Sequence, residues 1–79
     1  MNTAPSKKEQ LYDIISKTLD ISVDSISDEL AAGSIPQWDS LQHVVLISAI
    51  ESNFGIQIDV DALIEIEDVS DLLDIVENA

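Results

Sequence analysis

The segment QWDSLQ, at positions 37–42, contains two adjacent residues that can each begin a helix. Asp39 and Ser40 both have a side-chain oxygen that accepts a hydrogen bond at a helix N-terminus, but one helix takes only one cap. With Asp39 as the cap, Gln42 falls at the third helical position and completes a D-x-x-Q capping box, whereas a cap at Ser40 would place His43 there. The pattern therefore predicts that Asp39 is the cap and that the Ser40 hydroxyl is free for another use. The alternative is an ordinary first-turn serine.

Catalysis by a free serine hydroxyl requires a positioned base, and the chain offers few candidates. The sequence holds one histidine, His43, and no cysteine. His43 falls on the side of its helix that is predicted to face the core, and Trp38 is expected to pack onto it as a hydrophobic staple. We therefore interpret His43 as a packed or pocket-lining residue and predict that the protein is not an enzyme.

A calcium-binding loop is the rival interpretation, because acidic residues cluster in the second half of the chain. Asp59 and Asp61 begin a D-x-D pattern. The next ligand position holds Leu63, Ile64 replaces the required glycine, and Ser70 stands where the bidentate glutamate belongs. These departures exclude an EF-hand, and no specific metal site is predicted. Loose binding of divalent cations to the acidic surface is still expected to stabilise the fold.

Helical periodicity and end signals define the first two elements. The SKKE sequence at 6–9 is a capping box for a first amphipathic helix over residues 7–20. A second helix begins near Ser40 and runs to about Asn53, where Gly55 suits the C-terminus. The predicted core-facing stripe of this helix consists of His43, Leu46, Ile47, Ile50 and Phe54. On the outer side, Leu41 and Val45 form a small exposed apolar pair beside the serine, which suggests a docking face.

The remaining elements are shorter. A third helix is predicted at Val60–Ile66, and a fourth carries the apolar residues Val69, Leu72, Leu73 and Val76. The connection 21–38 is long, and four apolar residues suggest that it packs along the bundle: Val23, Ile26, Leu30 and Ile35. No segment shows sustained strand periodicity. The fold class predicted is all-α, a small four-helix bundle with three longer helices and one short one.

Composition limits the kinds of partner. The 79 residues include 16 acids against three lysines, giving a formal charge of −13. Nucleic acids and anionic membranes would be repelled, so the expected partners are proteins with basic patches. The alternative is that the acids only keep a small protein soluble. The apolar fraction of 46% supports one folded domain over 1–79, with residues 1–5 flexible. No apolar run reaches the roughly 20 residues that span a bilayer, and no secretory signal is evident. We expect a cytoplasmic monomer.

The residues around Ser40 resemble the acyl and peptidyl carrier proteins. The hallmark of that family is Asp-Ser-Leu at the start of the second helix, here Asp39, Ser40 and Leu41. The longer segment DSLQHVVLISAIESNFGIQI is similar to the family's second helix and following loop, and DVDALIEIEDVSDLLDIVENA is similar to its third and fourth helices. The resemblance extends from about Leu11 to the end of the chain.

This resemblance implies that Ser40 carries a 4′-phosphopantetheine arm, transferred from coenzyme A by a phosphopantetheinyl transferase. The terminal thiol of the arm would hold an acyl or aminoacyl group as a thioester. The protein would then be a non-catalytic shuttle that presents its cargo to acyl-loading, acyl-transferring or condensing enzymes with basic or apolar docking patches. The cargo could be fatty acyl, polyketide, aminoacyl or another acyl group.

Several positions depart from the carriers of ordinary fatty acid synthesis. Those carriers usually have Gly or Ala where this chain has Trp38, and acids where it has Val45, Ser52 and Asn53. We therefore expect a stand-alone carrier of a dedicated pathway whose partners dock by apolar contact. The predicted partner-recognition residues are Asp39, Leu41, Val45, Ser48, Glu51 and Ile64. The alternative is a small acidic protein-interaction module that is never modified.

Overall fold

Four helices form the protein in the computed structural model, which describes residues 6–78. They are α1 (Lys7–Leu19), α2 (Ser40–Phe54), α3 (Val60–Glu65) and α4 (Val69–Glu77), with one 3₁₀ turn at Val23–Ser25. No strand occurs within 6–78. The all-α prediction of three longer helices and one short one is confirmed. The prediction that 1–5 are flexible concerns residues outside the described range.

Local hydrogen bonds and backbone angles determine where α1 begins and where α1 and α2 end. The Ser6 hydroxyl accepts from the backbone N–H of Glu9, and the Glu9 carboxylate accepts from the Ser6 N–H, each over 3.1 Å. This is the predicted capping box. The helix ends at Leu19, one residue early, because Asp20 is left-handed (φ 57°). Helix α2 continues one residue beyond Asn53 before Gly55, with φ 65°, ends it.

Aspartates also begin the two shorter helices. Asp59 accepts a hydrogen bond from the N–H of Ala62, and Asp68 accepts one from the N–H of Asp71. Helix α3 stops at Glu65 rather than at the predicted Ile66, because Ile66 adopts an extended backbone and buries its side chain. Asp59 and Asp68 therefore serve as caps.

The core is apolar throughout the described residues, with no buried polar or charged side chain. Helix α2 contributes Leu46, Ile47 and Ile50, as predicted, while His43 and Phe54 at the two ends of its stripe are half-buried. The other buried residues are Leu11, Ile14, Ile15, Leu19, Ile26, Trp38, Ile66, Val69, Leu72 and Val76. Packing of this apolar stripe, rather than intrinsic helix propensity, stabilises such short helices.

The long connection between α1 and α2 packs against the bundle, as predicted for most of its apolar residues. Ile26 is buried, and Leu30 and Ile35 pack against the core. The prediction is wrong for Val23, which is 48% exposed. Val23 begins the 3₁₀ turn and lines a surface cleft beside α1, so its side chain does not reach the core.

Backbone hydrogen bonds fasten this connection to the start of α4. Ala31 and Asp68 form an isolated antiparallel bridge. The N–H of Ala32 donates to the Glu67 carbonyl over 2.8 Å, and the N–H of Val69 donates to the Leu30 carbonyl over 3.0 Å. The chain that leads to Ser40 is thus held in place by the last helix.

The three lysines of the chain all belong to α1. Lys17 pairs with Asp13 on the same helix, and Lys8 pairs with Asp28 of the connection at 3.3 Å. Exposed pairs of this kind contribute little individually. Residues 20–79 contain fourteen acids and no lysine, so most of these acids lack a basic partner.

Candidate functional site

The two candidate caps at the start of α2 are resolved in favour of Asp39. Its Oδ1 accepts a hydrogen bond from the N–H of Gln42 over 2.8 Å, and its backbone is extended. The predicted capping box is only half formed: within 6–78, the Gln42 side chain makes no return bond to the Asp39 N–H. A neutral amide oxygen is a weaker acceptor than the Glu9 carboxylate that completes the box of α1.

Ser40 is the first residue of α2 and is exposed. Its hydroxyl makes no hydrogen bond to any residue of the described range. The backbone N–H groups of Ser40 and Leu41 likewise donate to no described residue, whereas those of Gln42 and His43 are bound by Asp39. Ser40 therefore presents a nucleophilic oxygen beside two available amides at the positive end of a helix dipole.

A cleft of about 540 Å³ opens beside this hydroxyl. It lies between the connection, the first turns of α2, and α3. Most of the residues that line the cleft are apolar, and Asp39 is the one charged residue of the lining. The lining residues are Ala32, Gly33, Trp38, Asp39, Ser40, His43, Val44, Leu63, Ile64 and Ile66.

Three residues from different elements are hydrogen bonded along the floor of this cleft. The indole N–H of Trp38, a fully buried residue, donates to Nδ1 of His43 over 3.0 Å. The two rings are stacked, with centroids 6.0 Å apart and an interplanar angle of 22°. The other ring nitrogen, Nε2, lies 3.1 Å from the Leu63 carbonyl of α3.

The predicted staple of Trp38 on His43 is therefore confirmed, and His43 lines a pocket as expected. The link to Leu63 was not predicted from the sequence. It joins residues twenty positions apart through a backbone carbonyl, and no side-chain pattern signals such a contact.

Four exposed apolar residues surround the cleft mouth and the adjacent side of α2. We call them the apolar face: Leu41 (69% exposed), Val44 (49%), Val45 (44%) and Ile64 (71%). Val44 was not among the predicted recognition residues; it lines the cleft together with Ile64. Ser48, which was predicted, is also exposed on α2.

Glu51 differs from the other predicted recognition residues. It is half-buried, and its Oε2 accepts a hydrogen bond from the N–H of Ile58 over 2.7 Å. This bond ties the end of α2 to the loop before α3. Glu51 thus has a structural contact that the sequence did not indicate, because its partner is a backbone amide beyond the Gly55 turn.

No group of three or more potential metal-ligating side chains occurs in the described part of the chain. Within the same residues, no helix combines the length and apolar character needed to cross a membrane.

Residues 38–76, about half of the chain, match the family described as phosphopantetheine attachment site. The match begins at Trp38, includes the whole of α2 and α3, and ends within α4. No individual curated protein matches the chain. With its helical fold and the resemblance carried by Asp39, Ser40 and Leu41, the chain belongs to this family of acyl and peptidyl carrier proteins. Members covalently bind a 4′-phosphopantetheine prosthetic group, and the domain is a carrier rather than a catalyst.

Proposed function

We propose that this protein is an acyl carrier whose 4′-phosphopantetheine arm is attached at Ser40. The arm carries an acyl or aminoacyl group as a thioester and delivers it to partner enzymes of a dedicated biosynthetic pathway. The observation that carries the proposal is the exposed Ser40 hydroxyl, which makes no hydrogen bond to a described residue because Asp39 caps the helix. We further propose that 1–79 acts as one domain and, given the charge of −13, as a monomer.

The residues around Ser40 fit a phosphodiester. The available N–H groups of Ser40 and Leu41 and the positive end of the α2 dipole favour an anionic oxygen at this place. The first turn of α2 contains no acid to oppose it. The nearest acid, Asp39, is engaged with the Gln42 N–H. When bound, the prosthetic group supplies a thiol that forms thioesters, which a chain without cysteine cannot supply itself.

Attachment requires little from the chain except access. The Ser40 oxygen forms a bond to the phosphorus next to the pantetheine half of coenzyme A, and the pyrophosphate linkage breaks. The nucleotide half of coenzyme A leaves, and the serine proton passes to a base on the phosphopantetheinyl transferase. Because His43 is hydrogen bonded to Trp38 and lies near the Leu63 carbonyl, we assign no base to the carrier itself.

Partner enzymes are proposed to dock on the apolar face. Between Ser40 and Ile50, α2 contains no acid or lysine, and it exposes the apolar side chains of Leu41, Val44 and Val45. Asp59, Asp61 and Glu65 at α3 add negative charge, which matches partners that surround an apolar patch with basic residues. The acyl-loading and the acyl-transferring or condensing enzymes would share this surface.

The attachment is tested by incubating the protein with coenzyme A and a broad-specificity phosphopantetheinyl transferase and measuring intact mass. We expect the addition of one phosphopantetheine. Ser40→Ala should abolish it, whereas Ser52→Ala, which removes another exposed hydroxyl of α2, should not. An unchanged mass in the wild-type protein, or an addition that survives Ser40→Ala, would identify an interaction module or a different attachment residue.

A further inference from the structure

The hydrogen bonds of His43 fix the protonation state of its ring. An indole N–H can only donate, and a backbone carbonyl can only accept. Nδ1 must therefore accept from Trp38, and Nε2 must donate to the Leu63 carbonyl. Both bonds form only when the ring is neutral with its proton on Nε2. A proton added to Nδ1 would set two N–H groups against each other at 3.0 Å.

The ring cannot adjust to that proton without affecting α3. Imidazole is rigid, so a rotation that removes Nδ1 from the indole also moves Nε2 relative to the Leu63 carbonyl. Helix α3 has six residues, none of which is fully buried. The other hydrogen bonds shown for its residues lie within the helix or at its Asp59 cap. Among the described residues, the bond to His43 is the one hydrogen bond shown between a residue of α3 and another helix. Packing of Leu63 on the core, and the bonds of the flanking Ile58 and Glu67 to Glu51 and Ala32, hold the rest of this segment.

We propose that His43 is a proton-operated catch that holds α3 against α2 beside Ser40. The neutral ring holds Leu63, and with it Ile64, at the wall of the cleft. Protonation of the ring breaks its hydrogen bond with Trp38, weakens its contact with the Leu63 carbonyl and allows α3 to move away from α2. The cleft next to the attachment residue then widens. His43 is thus a positioning residue that takes no part in a reaction.

The charges around His43 are few. The lining residues contributed by the connection, by α3 and by position 66 are uncharged. Asp39, the cap of α2, is the charged residue that lines the same cleft. A phosphodiester on Ser40 would lie one turn before His43 on the same helix. Its negative charge would favour the protonated form of the ring. This last step rests on the proposed function: attachment of the arm would shift the catch towards release.

The unmodified protein provides the first test, because it contains one histidine and one tryptophan, which makes their signals unambiguous. The His43 ring, the Trp38 indole N–H and backbone amide exchange are followed by NMR as the pH is lowered. We expect the indole resonance to shift over the same pH range as the His43 ring signals. The amides of residues 63–65 should lose protection from exchange over that range. Protection of the α1 amides should stay constant. Constant protection in α3 throughout the His43 titration would overturn the proposal.

Two variants separate the catch from a general structural role. His43→Gln keeps an acceptor for Trp38 and a donor for Leu63 but does not titrate. The amides of α3 should therefore stay protected from exchange, and this protection should no longer depend on pH. His43→Phe should lower α3 protection at every pH. A pH dependence that persists in His43→Gln would contradict the proposal. If His43→Phe does not fold, the wild-type titration and His43→Gln decide the question.

The coupling to the arm is tested last, by repeating the titration on protein modified at Ser40. We expect the shared midpoint to move to higher pH. An unchanged midpoint would contradict the coupling while leaving the catch of the unmodified protein intact. Failure of the modification itself would refute the proposed function and would not affect the first two tests.

Discussion

The hydroxyl of Tyr12 on α1 donates a 2.5 Å hydrogen bond to the carboxylate of Asp28 in the connection. Lys8 pairs with the same carboxylate and lies over the Tyr12 ring, 5.6 Å from its centroid. Asp28 in turn accepts a bond from the N–H of Ser70 through its carbonyl. This group of residues joins α1 to the segment that is also fastened to the start of α4.

The first prediction concerns the pH dependence of this contact. Burial, and then the bond to Asp28, raises the pKa of Tyr12 from 10.0 to about 12. Because the folded value is the higher one, the stabilisation is complete below pH 10.0 and is lost as pH rises through about 12. Tyrosinate absorption of the single tyrosine should therefore titrate near 12. A midpoint near 10.0 in protein that circular dichroism shows to be folded would contradict this contact.

The same contact shifts the pKa of Asp28 in the opposite direction, so its effect on stability appears at low pH. The Tyr12 hydrogen bond, with help from Lys8, holds the pKa of Asp28 below its usual 3.8. Its stabilisation is present above that value and is lost as pH falls through the lower, folded value. Tyr12→Phe should therefore lower the unfolding midpoint at neutral pH, and the difference from wild type should shrink in strong acid.

The second prediction concerns the cap that leaves Ser40 free. Asp39→Ala removes the acceptor for the Gln42 N–H and should reduce the free energy of unfolding by about 0.5–2 kcal/mol. Asp39→Asn keeps a capping oxygen and should cost much less. Urea unfolding of both variants measures the difference. Equal stability of Asp39→Ala and wild type would mean that another residue caps α2.

The third prediction compares two leucines of α2. Leu46 is fully buried, so Leu46→Ala should cost about 2–5 kcal/mol of unfolding free energy. Leu41 is 69% exposed, and Leu41→Ala should change the free energy of unfolding by no more than about 0.5 kcal/mol. The two variants remove the same atoms from one helix. Similar losses, measured by chemical unfolding, would mean that Leu41 belongs to the core and not to the apolar face.

The fourth prediction concerns docking. Val45→Glu places a charge in the apolar face and should slow acyl transfer to or from the cognate partner. Val23→Glu makes the same change at a similarly exposed valine on the separate cleft beside α1, and should leave the rate unchanged. The rate is measured with protein already modified by the transferase. Unaffected transfer in Val45→Glu would remove this residue from the docking surface.

The fifth prediction concerns cations. With a charge of −13, the fold should be stabilised by millimolar magnesium, which screens repulsion among the acids. Because the described residues hold no cluster of three potential ligands, sodium chloride at equal ionic strength should reproduce much of the effect. Identical melting midpoints with and without magnesium would show that surface repulsion does not limit stability.

Local signals predicted the helices well. Asp39 and Gly55 fixed the two ends of α2 because a cap and a left-handed glycine act on their immediate neighbours. The outward position of Leu41 and Val45 followed from the helical repeat alone. The Trp38 staple was also a local contact, since its partner lies five residues later.

Contacts between distant segments were beyond such reasoning. The bond from His43 to the Leu63 carbonyl and the bridge between Ala31 and Asp68 both depend on backbone groups, which every residue shares. The failed expectation for Val23 has a similar origin, because an apolar residue in an irregular segment has no repeat to indicate its direction. The cleft beside Ser40 is likewise assembled by three separate elements.

The confinement of the lysines to α1 has a consequence for how partners meet this protein. Helix α1 carries three lysines against two acids, while residues 20–79 carry fourteen acids and no lysine. A positively charged enzyme approaching from a distance would exert a torque on such a lopsided molecule and rotate α1 away from itself. The protein would then meet such an enzyme with its acidic residues, at positions 20–79, turned towards it.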